Sequence, residues 1–575
     1  MKLLTNALIL IAMSLTFIAC QTETHYREPA IIPQPQLIIT AQGSPAANIT
    51  PKTTIVAKGA EELKSATFFR EYLMRYYGIQ LQIISTKQAT PSKNGLQIEL
   101  SIAPLKELPT LITNQLQKLE YTQKDLEREG AYYLNVTDKK ITLTGANPQG
   151  LFYAMQSLIQ LLPTEQEKTS ASQIEKNLNI EQIQVVDFPR FQYRGMHLDV
   201  VRHIYSVEYI KQYIDYIAMH KMNHFHWHLT DDQGWRMESK SHPKLNKDGA
   251  YRAGTIIGIF PGTGVDSTRY GGYYTIEQMK EIVNYAQQRY ITVVPEIDVP
   301  GHSMAILATY PQFSTTPDIP KEPAITWGIY NRQNNVLAPS EEVFTFLSDV
   351  FNELMDVFPG PYIHIGADEC AKKWWQESQE TQKFMKKHRL KDEGALQKYF
   401  AQRISEVIHA RGRQLIGWDE MLDHGLVEGA IVMSWRNAQN GLKAAELGHK
   451  TIMTPMLYSY MNIAQKENED SLCHNSHLVT LDSVYNFNPI PKETPANIAA
   501  NIIGGQGCMW TEYFPHRQRL EYGLFPRMSA IAEVYWTLPK NKNLNRFKQK
   551  LEKGQYPRYT LWGANSYKEI SKKTL

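Results

Sequence analysis

Cysteine is scarce, four in 575 residues, and that scarcity excludes several chemistries at once. Cys20 closes an apolar N-terminal run, which leaves Cys370, Cys473 and Cys508 for the rest of the chain. Three thiols cannot all pair, so this is no disulfide framework and at least one thiol is expected free or buried. Their spacing fits neither a zinc ribbon nor a CxxC redox pair. Cys370 directly follows Glu369, but no matched histidine–cysteine arrangement is visible, and a packing role is expected for it. A surplus of charge of one sign is also missing: 61 basic against 58 acidic side chains give a net charge of +3. Nucleic-acid binders usually carry a basic face, so nucleic acid is not an expected partner.

What the chain does have is length enough for two or three domains. Its 42% hydrophobic and 21% charged residues are ordinary for a globular protein, but 10 Trp and 32 Tyr are many. Such rings build cores, and they also stack on the apolar faces of sugars. The opening MKLLTNALILIAMSLTFIAC combines Lys2, an apolar run from Ala7 to Ala19 and then Cys20, and residues 1–20 read as an export signal. The run is too short and too poorly flanked for a stable membrane span. Its end, FIAC, resembles the box at which bacterial lipoproteins are cut and lipidated, here on Cys20, with plain secretion as the alternative. The expected location is an exported one, an outer-membrane lipoprotein or a periplasmic protein of a bacterium.

After a polar tether, the segment to about Phe188 mixes strand and helix signals, and residues 21–188 read as a small noncatalytic α/β domain. ELKSATFFREYLMRYYG has helical periodicity, and GAYYLNVTDKKITLTGANPQGLFYAMQSLIQLL gives two alternating strands, a turn and a helix. Over 189–575 the rhythm changes, and strand-like runs end repeatedly in polar or charged residues. The runs are RGMHLDV, HFHWHLTDD, TVVPEIDVPGH, YIHIGADE, QLIGWDE, AIVMSW, TIMTPMLYSYMN and IIGGQGCMWTE. Eight such units predict a (β/α)₈ TIM barrel, a fold whose chemistry lies at the C-terminal strand ends. The Lys-rich residues after about 541 are expected to form a last helix and a surface tail.

The acids Asp368 and Glu369 close the run YIHIGADE, and strand alternation would aim them in different directions. Adjacent acids differ from the usual glycosidase pair that faces across the scissile bond. A substrate carrying a 2-acetamido group resolves the difference, because its carbonyl oxygen can replace the enzyme nucleophile. Glu369 would then serve as general acid and base, which requires a carboxyl group kept protonated by a poorly hydrated pocket. Asp368 would hold the acetamido N–H and offset the charge growing on an oxazolinium-like intermediate. Arg194 is expected on sugar hydroxyls. Trp418, Trp435 and Trp510 are expected to wall the ring, Tyr460 to donate to the acetamido oxygen, and Glu512 to accept from hydroxyls. His302, with Asp231 or Asp232, would fix the acids. His224, His226 and His228 have metal-like spacing on one strand face, but a hydrogen-bonded polar interior accounts for them. No metal and no cofactor are expected.

HIGADE (364–369) resembles the His-x-Gly-Gly-Asp-Glu signature of the β-N-acetylhexosaminidases of glycoside hydrolase family 20. RGMHLDVVRH (194–203), MHKMNHFHWHLTDDQGWR (219–236), PEIDVPGH (295–302), IGWDE (416–420), VMSW (432–435) and GQGCMWTE (505–512) match in the family's order. The resemblance covers the chain from about Ile31 to Trp536. It implies a retaining exo-glycosidase that removes terminal β-linked GlcNAc or GalNAc from glycans or chitin fragments. It also implies Asp368 as the acetamido-polarising residue, Glu369 as acid/base, Arg194 on the outer hydroxyls and Asp232 as the partner of His302. Release of an N-acetylated disaccharide, or a carbohydrate-binding lipoprotein without activity, are the competing readings. Two positions depart from the family pattern: Ala367 replaces the second glycine, and Asn462 replaces the aspartate of Tyr-x-Asp.

Overall fold

The computed structural model describes residues 29–41, 46–85, 95–164, 177–469 and 472–568. The export signal and Cys20 lie outside the described residues. Among those described, no helix is long and apolar enough to cross a membrane.

The N-terminal part is one seven-stranded mixed sheet. Its strands run in the spatial order Leu37–Thr40, Ile183–Asp187, Tyr132–Val136, Lys140–Gly145, Gln97–Ile102, Thr54–Ala57 and Gln82–Ser85. The first three pairings are antiparallel and the last three parallel. Helix Ala60–Tyr77 buries Phe69, Leu73 and Tyr77 on one stripe, and Gly78 ends it at φ 63°, where a Cβ would be strained. Helix Pro148–Leu161 starts at an Asn147 cap and has no wet face: every residue from Gln149 to Gln160 is buried. An all-round buried helix must be covered on both sides. Here the sheet covers one side, and on the other Gln160 bonds the Met219 carbonyl and Tyr153 receives Arg194.

Eight parallel strands close the second part into a barrel. They are β1 (Tyr193–Asp199), β2 (His224–His228), β3 (Thr292–Glu296), β4 (Tyr362–His364), β5 (Gln414–Trp418), β6 (Ile431–Ser434), β7 (Thr451–Met453) and β8 (Ile502–Gly507), and β8 closes on β1. Seven of the eight runs contain one of these strands whole, β1 begins one residue before its run, and a TIM barrel preceded by a smaller mixed-sheet domain is the observed fold.

The strands are shorter than those runs, and this changes how the site is built. Asp368, Glu369, Tyr460, Asn462, Trp510 and Glu512 all lie beyond strand ends, so strand alternation orients none of them. The C-terminal residues are not a mere surface tail either. Helices Leu544–Lys550 and Tyr556–Leu561 place Lys550 and Arg558 in the interior. Lys550 bonds the Gln34 side chain, and Arg558 donates to the carbonyls of Gln160 and Leu162 at 3.1 and 3.2 Å. The segment therefore braces the N-terminal sheet against the barrel.

Candidate functional site

After β4 the backbone turns through Gly366 at φ 66°, Ala367 at φ 71° and Glu369 at φ 43°. Gly366 is obligatory, since a Cβ there would stand 1.8 Å from Asp298 Oδ1. Ala367 carries its methyl in a left-handed conformation that favours glycine, a local strain of about 1 kcal/mol. This turn, not strand alternation, gives the two acids different surroundings. Asp368 is buried, while the Glu369 side chain keeps 42% of its surface exposed.

Both acids flank His302. Its Nε2 lies 3.8 Å from Asp368 Oδ2 and 3.4 Å from Glu369 Oε2. Its Nδ1 lies 3.1 Å from Asp231 Oδ1 and 3.2 Å from Asp232 Oδ2. The expected choice between the two aspartates does not arise, because the imidazole bridges both. Burial opposes charge on His302, but Asp231, Asp232 and Asp298 outweigh it and hold the ring cationic well above the usual histidine range. Asp232 is itself fixed by Asn335 at 3.1 Å and by the Met304 N–H.

The polar layer below is continuous. Glu296, at the end of β3, meets His228 Nδ1 at 2.6 Å, His226 Nε2 at 3.1 Å, His364 Nδ1 at 3.0 Å and the Trp418 indole N–H at 3.0 Å. Burial works against its charge, yet these partners keep it ionised. His228 passes the link to Asp231 at 2.9 Å; burial lowers its pKa, but the two flanking carboxylates win and push it up to about 10. His226 and His228 thus bind carboxylates of a polar interior, and His224 stacks on Tyr193 with centroids 3.9 Å apart.

The titration of the acids differs from what the sequence suggests. Burial, helped by the charges of Glu369 and Glu296, pushes Asp368 up to about 6. Burial and Asp368 together hold Asp298 well above the carboxylate range, and its Oδ1 accepts from the Ala367 N–H at 3.2 Å. Burial also pushes Glu369 up, but the His302 cation outweighs it and holds this carboxyl below its ordinary value. The expected apolar pocket around Glu369 is replaced by a cation and partial exposure to water. The order expected for the pair is therefore inverted: Asp368 is held above its ordinary value and Glu369 below its own.

Aromatic rings wall the space above. Trp435 and Tyr460 stack 6.1 Å apart at 18°, Tyr460 and Trp510 lie 6.2 Å apart, and Trp510 meets Trp418 at 6.0 Å. Trp418 is 1% exposed and tied to Glu296, so it forms the floor, whereas Trp435 is half-buried. The buried polar atoms in this zone without a protein partner include three acceptors, Asp368 Oδ1, Asn462 Oδ1 and Glu512 Oε2. A buried acceptor left without a donor costs about 1–3 kcal/mol, and donors on a ligand relieve it. Glu512 is held ionised at about 2; burial opposes this, but His474 and Arg202 prevail.

Arg194 is not in this site. It is the second residue of β1, at the opposite mouth of the barrel, and is 1% exposed. Its guanidinium donates to the carbonyls of Lys221 at 3.0 Å and Phe191 at 2.7 Å and to the Tyr153 hydroxyl at 2.9 Å. It is a brace between barrel and N-terminal domain. The arginine at the functional end is Arg202, beyond β1. It meets Asp231 at 2.8 Å, Asp199 at 3.3 Å and Gln233 at 2.9 Å, and lies under the Trp510 ring with its Cζ 5.1 Å from the centroid. Three of its five N–H donors are spoken for. The run RGMHLDVVRH held both arginines, and the rule that chemistry sits at strand C-termini selects the second.

Glu420 also escaped the sequence reading. It accepts from the Trp435 indole N–H at 3.0 Å, and burial, with Asp368 and Asp419 nearby, pushes it up to about 8. Only proximity in space marks it, because it follows Trp418 in a 3-10 turn, Asp419–Asp423, that sequence alone does not aim. The three cysteines beyond the signal are all free and buried, in keeping with packing roles.

The chain matches two family descriptions, "Glycosyl hydrolase family 20, domain 2" over residues 28–187 and "Glycosyl hydrolase family 20, catalytic domain" over residues 191–539. It is 39% identical over 525 residues to a beta-hexosaminidase of Porphyromonas gingivalis, covering 91% of this chain but only 62% of that protein. A beta-N-acetylhexosaminidase of Cellulomonas fimi is 30% identical, with 90% of this chain and 92% of the relative covered. A solved exo beta-N-acetylglucosaminidase of Vibrio harveyi, in complex with N-acetylglucosamine, superposes with a TM-score of 0.78 at 28% identity, covering 94% of this chain and 78% of that one.

Proposed function

Because the chain belongs to glycoside hydrolase family 20, we propose that it is a retaining exo-acting β-N-acetylhexosaminidase working through substrate assistance. The observation that carries the reading is that Asp368 and Glu369 leave one turn and converge on a single imidazole nitrogen. They do not oppose each other across a bond as a nucleophile and an acid would.

The terminal sugar lies against Trp418, Trp435 and Trp510, with its hydroxyls on Arg202, Glu512 and Asn462. Its acetamido N–H donates to Asp368, whose unpaired Oδ1 awaits a donor, and the Tyr460 hydroxyl donates to the acetamido oxygen. Binding then moves the proton. The N–H favours ionised Asp368, and displacement of water from the half-exposed Glu369 favours its neutral form. Glu369 gives this proton to the glycosidic oxygen as the acetamido oxygen attacks the anomeric carbon and the alcohol leaves. The resulting carboxylate takes a proton from water, whose oxygen adds to the anomeric carbon on the face the alcohol vacated as the bond from that carbon to the acetamido oxygen breaks and the free acetamido group is restored. The two inversions give net retention. The substrates on this reading are N-acetylhexosamine-ended glycans or chitin fragments. Cys20 would anchor the enzyme as an exported lipoprotein of the outer membrane, or the enzyme is periplasmic.

Hydrolysis of aryl β-GlcNAc, aryl β-GalNAc and aryl β-glucoside, with the first product followed by proton NMR, tests this. The expected outcome is a β-configured first product and no useful rate on the glucoside. A glucoside cleaved as fast as its N-acetylated counterpart would remove substrate assistance.

A further inference from the structure

Between the N-terminal helix Ala60–Tyr77 and the barrel lies a second cavity of about 320 Å³, away from the residues described above. Its walls are aromatic: Phe68, Tyr72 and Tyr76 from the helix, Tyr216 and Tyr285 from the barrel side, and Trp562 from the C-terminal brace. Phe68, Tyr76 and Tyr285 are only half-buried. Glu71 and Asp215 balance Arg75 and Arg289 along the lining, so the cavity favours no strongly charged ligand. Asp215 is held in place by Arg289 at 2.6 Å and by the Tyr285 hydroxyl at 2.9 Å.

The telling residue is Gln156, which lines this cavity from helix Pro148–Leu161. It is 0% exposed, and neither its Oε1 nor its Nε2 has a hydrogen-bond partner. A buried carboxamide with both ends unsatisfied is destabilising, and leucine or methionine would fill the same volume without that cost. An adjoining cavity of about 570 Å³ shares Arg75, Gln212, Asp215 and Tyr285 with the first and ends on Tyr209, whose buried hydroxyl is likewise unpartnered. Aromatic walls over polar atoms without protein partners are also what marks the site around Asp368, Asn462 and Glu512.

We propose that this interdomain cleft is a second saccharide-binding site, distinct from the catalytic pocket, that takes a neutral sugar through ring stacking and the Gln156 amide. The amide accepts from one hydroxyl and donates to its neighbour, which suits the paired hydroxyls of a pyranose, each both donor and acceptor. The half-buried rings take the sugar's apolar face. The volume suits one or two sugar units and falls at the small end of ligand cavities. Because both domains line it, occupancy also stiffens the joint between them.

The test uses the full chain carrying Glu369→Gln, so that oligosaccharide is not consumed, with the trisaccharide of β-1,4-linked GlcNAc as the probe at millimolar concentration. Hydrogen exchange should slow in residues 60–77 and 207–219 as well as around the catalytic loops. Adding Gln156→Met should abolish the cleft protection, leave the catalytic-loop protection intact, and raise Tm by about 1–3 °C because an unsatisfied amide is gone. Tyr76→Ala, on the half-exposed rim, should abolish the cleft protection without that gain. Absence of slowed exchange at 60–77 in the parent overturns the proposal, as does cleft protection that survives both substitutions. Loss of protection at the catalytic loops alone would instead count against the reading of the first site.

Discussion

Arg194 and Arg202 belong to one strand unit and face opposite ends of the barrel, so the same substitution at each should produce opposite phenotypes. A lysine has three donors on one nitrogen and cannot reach acceptors that the guanidinium fork spreads apart. At Arg194 the fork serves three backbone carbonyls and a tyrosine hydroxyl, and the bonds to Lys221, Phe191 and Tyr153 are buried. Leaving two of these acceptors without a donor costs about 1–3 kcal/mol each, or about 2–4 kcal/mol allowing for relaxation. Over a chain of 575 residues that lowers Tm by about 2–4 °C. Arg194→Lys should keep kcat/KM within about twofold, since no bond to the reacting centre changes. At Arg202, lysine keeps a cation beside Asp199 and Asp231, so Tm should move little. It loses the two N–H groups left to face the sugar, and one charge-assisted bond of about 1.5–3 kcal/mol corresponds to a fall in kcat/KM of about 10–100-fold. Thermal melts and steady-state kinetics on an aryl β-GlcNAc decide the matter. If Arg194→Lys costs tenfold in kcat/KM at unchanged Tm, or Arg202→Lys leaves kcat/KM intact, the assignment of the two arginines is refuted.

Four further outcomes follow from the same geometry. Glu369→Gln should be far more damaging on glycosides with poor alcohol leaving groups than on nitrophenyl glycosides, and equal losses would deny it the role of acid. The Asp368–Glu369 pair needs one proton to react, and Asp368 gives that proton up near 6, so kcat/KM should decline as pH rises through about 6; a flat profile from about pH 5 to 8 would contradict this. The same raised carboxyl favours folding below about pH 4 and loses that contribution as pH rises through 6, so Asp368→Asn should stabilise the protein at neutral pH by up to about 3 kcal/mol, and its melting point relative to the parent should converge at low pH. Asn462→Asp adds a carboxylate to the segment whose backbone binds that of His474, the partner of ionised Glu512, and should change KM or the GlcNAc/GalNAc ratio several-fold; unchanged values on both epimers would put Asn462 outside the sugar contacts.

The sequence by itself determined the barrel, because strand-like runs that end in polar or charged residues recur eight times along it. Each of the eight strands overlaps one of those runs, and most of the polar run ends lie beyond the strands. It also determined the pair Asp368–Glu369 and the aromatic residues, since their types and order are legible without coordinates. Tertiary structure decided what runs of residues cannot carry: at which end of a strand a side chain emerges, and what surrounds it. Arg194 and Arg202 look equivalent in RGMHLDVVRH until the strand's direction fixes one to the interdomain brace and the other to the site. Glu369 looked like the protonated acid until His302, contributed from beyond β3, proved to stand beside it. A pKa is set by the charges and the water within a few ångströms, and those neighbours come from segments far apart in the chain.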